Sequence, residues 1–170
     1  MKLSESQEQN LGQNVYQVLD NRKFSDQCLG LDTSVSNKFV DSYLENMHSL
    51  HPFLDVCALR NSVSRFGQQY PNLLGSQAEI SVDKAIILLV LALGEVLKND
   101  WWNSSHSRPG MPYFVWATRI LEQQPGQNTI THAQAHILAA LYLGQFSDIL
   151  KSWNHVSIAC KVVLILIDSN

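Results

Sequence analysis

An all-α fold is what the spacing of apolar residues in this chain predicts. They recur at three-and-four intervals in successive segments, turn formers separate those segments, and no stretch alternates long enough to argue a β-sheet. With 170 residues, 45% of them apolar, the chain can bury a core of its own. We expect about six helices in an irregular antiparallel bundle over residues 33–170, preceded by a loosely ordered polar segment, 1–32.

Within 1–32 the run "QNVYQVLD" offers one short helix. The first sustained helix follows. Thr33, Ser34 or Ser36 can cap it, Phe39, Val40, Tyr43, Leu44 and Met47 form its apolar face, and Pro52 interrupts it. A second helix carries Val56, Leu59, Val63 and Phe66 and stops near Gly67 and Pro71. A third begins after Ser81, with Asp83 favourable at the positive helix N-terminus, and ends near Lys98. Its core, "AIILLVLAL", is too short to span a bilayer and reads as a buried helix.

"NDWWNSSHSRPGMP" reads as a loop with an aromatic anchor, and "YFVWATRILEQQ" as a fourth helix closed by Pro125 and Gly126. A fifth helix, capped by Thr129 or Thr131, shows a stripe of Ala133, Ile137, Ala140, Leu141 and Gly144 suited to close packing. The sixth takes Ser147 as its cap and runs through "KVVLILI", the one strand-like competitor.

Composition narrows the function. A net charge of −3, with 12 basic residues scattered among 15 acidic ones, lacks the basic patch that grips duplex DNA. Cys28, Cys57 and Cys160 fit neither a disulfide framework nor a Cys-x-x-Cys metal site, which points to a reducing compartment. The polar N-terminus lacks the apolar core of a signal peptide, so the expected location is intracellular, nuclear or cytoplasmic, with no membrane as partner.

Candidate chemistry is sparse. His132 and His136, four apart on a helix, share a face, but no third ligand is in view, so the expectation is no metal and no cofactor. Glu45 and His48 resemble half of a di-iron carboxylate pattern whose other half is missing. There is no Gly-x-Ser-x-Gly elbow and no phosphate-binding glycine loop. Trp101, Trp102, Tyr113, Trp116 and Trp153 are candidates to line a pocket for a flat apolar small molecule. If the chain were an enzyme, acid–base work would fall to His48, His51, Asp55 and His106, beside the aromatic walls.

The segment "YLENMHSLHPFLD" is similar to the opening signature of the fungal-specific transcription factor domain, the middle homology region that follows a binuclear zinc cluster in many fungal regulators. "ILLVLALGEVL", "PYFVWATRIL" and "ITHAQAHILAALYLGQFSDILKSWNHVSIACKVV" follow that domain's helix order, so the resemblance covers about residues 33 to 166. It implies a helical regulatory domain, with His48, His51, Pro52, Phe53 and Leu54 forming a corner where Pro52 disfavours helical geometry at His51. The zinc cluster's cysteines and basic flank are absent, so DNA binding does not carry over. The later Gly-Leu-His motif is also absent, and the chain resembles roughly the first half of the domain.

These readings lead to a regulatory or partner-binding helical domain that does not bind DNA. The alternatives are a stand-alone dimerisation partner of a full-length regulator and a small enzyme of fungal secondary metabolism built around an apolar pocket. The succession from Val162 to Ile167 is apolar all round, and we expect it to pair in a homodimer.

Overall fold

The most apolar run in the sequence lies inside the central helix of the bundle. A computed structural model describes residues 33–69, 81–98, 108–124 and 127–169. The polar segment 1–32, Trp101, Trp102, His106, Pro125 and Gly126 lie outside the described residues. Among the described residues every regular element is helical. They are α1 (Thr33–Tyr43), running directly into a π-helical turn (Leu44–His48), α2 (Val56–Gln69), α3 (Val82–Lys98), α4 (Met111–Glu122), α5 (Ile130–Gln145) and α6 (Ile149–Asp168).

Helix α3 organises the rest. Val82, the unbroken run 85–94 and Val96 are all buried, because α1, α4 and α5 pack around it and α2 touches both it and α1. A helix apolar on every side is stable in water only when neighbours cover every side. From α1 come Phe39, Val40 and Tyr43, and from α4 come Phe114, Val115 and Ala117. Leu138, Ala139 and Tyr142 of α5 complete the core.

Two glycines permit this closeness. A Cβ on Gly94 would overlap the Phe39 carbonyl, so α1 crosses α3 with backbone against backbone. Gly110, with φ of 74°, adopts a left-handed conformation, and a Cβ there would overlap the Ala92 carbonyl. The lead-in to α4 is pinned from two helices. Its Gly110 N–H donates to Glu95 Oε2 at 2.9 Å, and the Tyr142 hydroxyl donates to the Pro109 carbonyl at 2.8 Å. Pro112 then sits in the first turn, where a missing N–H costs no intrahelical bond.

Local chemistry sets the other boundaries. Asp55 Oδ1 accepts the Ala58 N–H at 2.8 Å and caps α2, and an exposed Arg60–Asp41 ion pair of 2.8 Å joins α2 to α1. Thr129 caps α5, its hydroxyl accepting the His132 N–H at 3.3 Å. Helix α4 starts at Met111, earlier than its apolar spacing suggests. Ser147 does not cap α6: it holds a left-handed φ of 57° in the α5–α6 turn, and Asp148 occupies the position before the helix. The stripe on α5 also needs correction, since Gly144 faces open space and the close packing comes from Ala133 and Ala135.

The α1–α3 crossing yields a stability prediction. Gly94→Ala should destabilise the fold by about 1–3 kcal/mol, because the opposing atoms are backbone and cannot swing aside. At about 2–4 °C per kcal/mol for a chain of this size, thermal melting followed by circular dichroism should show the drop. An unchanged melting temperature would mean that α1 and α3 are not in backbone contact.

Candidate functional site

Two surfaces on the α5–α6 pair stand out, one inside the joint and one on its outer side. Helix α6 packs chiefly on α5 through small residues: Ala133, Ala159 and Val162 are buried together, with Ile137 and Leu166 packed against them. The Ser152 hydroxyl donates to the Ala140 carbonyl at 2.9 Å. At the turn, Asp148 lies 3.4 Å from Lys151 and 3.8 Å from Arg108, whose guanidinium covers the Phe146 ring.

Inside the joint, His136 Nδ1 and His155 Nδ1 are 2.8 Å apart, with ring centroids at 5.1 Å. One ring must donate its N–H to the other's lone pair, so the contact requires the accepting imidazole to be unprotonated at Nδ1, and protonating both rings abolishes it. Burial supports this by pushing both pKa values down, His136 to about 4, with His155 and His132 lowering it further by like-charge repulsion. His132 is held separately, its Nδ1 2.9 Å from the Thr129 hydroxyl and its pKa also lowered by burial. The expected His132–His136 pair is thus divided between two partners. Among the described residues no group of three or more His, Cys, Asp or Glu is placed to hold a metal.

The outer side of α6 is apolar and open to solvent. Ile149 is 76% exposed, Trp153 65% and Ile167 65%, and Leu150, Leu164 and Ile165 are exposed as well. Of the twenty residues in the helix only Ala159 and Val162 are buried. By length and composition alone, α6 is also the one helix among the described residues that could cross a membrane.

The remaining candidate residues are dispersed. His48 ends the π-helical turn with its ring 6.1 Å from that of Tyr43, and Nδ1 is buried with no hydrogen-bond partner among the described residues. His51 is exposed, and its N–H donates to the Met47 carbonyl at 3.0 Å as the helix ends before Pro52. Phe53 and Leu54 are half-buried, and Gln134 of α5 donates to the Phe53 carbonyl at 2.8 Å, tying the corner to the bundle. Asp55 is exposed and engaged as the α2 cap. Tyr113 is buried on α4, whereas Trp116 is half-buried under the Arg119 guanidinium. Trp153 stands on the outer face of α6.

The His136–His155 contact was missed from sequence, since it joins residues 19 apart on two helices. The histidines' presence in facing helices was the only signal available. Comparison of the chain with protein-family models, curated proteins and solved structures finds no match.

The joint predicts an acid-sensitive fold. Folded, these histidines resist protonation; unfolded, they take up protons below about pH 6.5. Stability present at pH 7 should therefore fall as pH drops from about 6.5 toward 4, the unfolded chain binding more protons throughout that window. Glu95, whose burial raises its pKa, contributes the opposite slope, so a variant is the right comparison. Melting temperatures of the double variant His136→Gln, His155→Gln should depend less on pH than those of the parent. Parallel profiles would place the acid sensitivity elsewhere.

Proposed function

We propose that this chain is a non-catalytic regulatory domain of the fungal transcription factor type that works by protein association, forming a homodimer through the outer face of α6. The observation that carries the reading is the exposure of that face. An amphipathic helix ordinarily turns one stripe inward, whereas here the solvent side is apolar too. The order of motifs from "YLENMHSLHPFLD" to the α6 segment supports the family assignment. The acidic balance argues that the chain leaves DNA reading to another polypeptide.

The energetics favour association. Covering roughly 400 Å² on each copy, at about 25 cal/mol per Å², contributes roughly 20 kcal/mol before the roughly 4–15 kcal/mol lost in association entropy. A catalytic reading draws less support, because Asp55 is occupied as a cap and His51 lies in solvent.

Sedimentation of the purified chain at micromolar concentration should give about twice the 19.2 kDa chain mass. Trp153→Glu with Ile149→Lys should yield a monomer whose melt remains cooperative, since both positions are exposed within the folded chain. A parent chain that sediments as a monomer would contradict the reading.

A further inference from the structure

The exposed face of α6 has a definite period. Ile149, Trp153, Val156, Cys160, Val163 and Ile167 follow one another at steps of four, three, four, three and four, the a/d spacing of a coiled-coil seam. This seam is separate from the one facing α5, where Ser152, His155, Ala159, Val162 and Leu166 follow at three, four, three and four. Helix α6 thus carries two seams, one filled by α5 and one open. Every member of the open seam is exposed or at the edge of exposure, and none is charged.

The geometry points to a second copy of α6, laid antiparallel, as the occupant of the open seam, with the twofold axis between Val156 and Cys160. This inference rests on the association reading above and adds the register. Size complementarity decides the direction. Antiparallel layers set Trp153 against Val163 of the second copy, Val156 against Cys160, and Ile149 against Ile167, so a large side chain meets a small one and the ends match. A parallel pair in register would force Trp153 onto Trp153 while leaving Cys160 against Cys160, overfilled in one layer and underfilled in another. The antiparallel arrangement also brings Leu150, 79% exposed, beside Leu164 of the second copy, 59% exposed, which widens the apolar strip. With these flanks the strip still amounts to about half of the roughly 800 Å² per partner of a standard interface, the size of a small one.

The register fixes which thiols can meet. In the antiparallel pair the two Cys160 residues are offset by about 6 Å along the axis, at 1.5 Å per residue, as well as by the roughly 8–10 Å between helices. Cα atoms that face each other across the seam lie closer than the axes by about 4 Å, most of the two roughly 2.3 Å helix radii, so a cysteine at 156 comes within the roughly 7 Å Cα separation a disulfide tolerates, whereas the added axial offset carries the two Cys160 residues beyond it.

Three chains of all 170 residues, each with Cys28→Ser and Cys57→Ser, test this under mild oxidation, read on non-reducing gels and by sedimentation under reducing conditions. The chain retaining Cys160 alone should stay uncrosslinked, Val156→Cys with Cys160 retained should convert mostly to a covalent dimer, and Val156→Cys with Cys160→Ser should again stay uncrosslinked. Crosslinking in the first or third chain would establish a parallel register and overturn the inference while leaving self-association intact. Reduced dimers that fail to crosslink at 156 would also overturn the register. Monomeric sedimentation of all three, or their flotation with phosphatidylcholine vesicles in place of dimerisation, would sink the association reading along with it.

Discussion

The all-round burial of α3 is the constraint on which the rest of the structure depends. Leu89, Val90, Leu91, Ala92 and Leu93 are fully inaccessible to solvent, so the middle of this helix is enclosed on every side. Its demand for cover dictates where α1, α4 and α5 lie, and Gly94 and Gly110 set how near they come. Replacing the core leucines would cost several kcal/mol each through cavity formation, a large share of the stability of any single domain.

Helix α6 stands in a different position. Among the described residues it packs chiefly on α5, through Ala133, Ala159 and Val162 and the contact between His136 and His155. One consequence is that the joint can respond to acid, since charging both rings replaces a hydrogen bond with repulsion at the same place. Another is that most of α6 remains available to an outside partner. The two properties are linked, because loosening α6 from α5 would alter the surface it presents.

Much of this fold was legible in the sequence, and the exceptions have physical causes. The α3 core announced itself as an unbroken apolar run, Thr129 as a cap, and Pro52 as the end of a helix, because each is governed by neighbours within a few residues. Ser147 misled because the left-handed turn depends on α5 ending beside Asp148, which no local signal encodes. Gly144 looked like a packing residue by spacing, but α6 meets α5 nearer Ala133 and Ile137. The π-helical turn at Leu44–His48 had no sequence mark at all. The open seam of α6 was present in the letters yet hidden, because the neighbouring apolar residues of "KVVLILI" blur a four-three rhythm that only the burial pattern separates from the seam on α5. For the candidate site residues, sequence supplied residue types, whereas the placement of His136 against His155 required two helices to be docked.

We propose that the outer face of α6 is covered in solution by another copy of the chain. The most direct test is the melting temperature as a function of chain concentration. A homodimer that unfolds to monomers melts higher as concentration is raised, by mass action, so a steady rise is expected from low micromolar to hundreds of micromolar. A melting temperature independent of concentration over that range would contradict it.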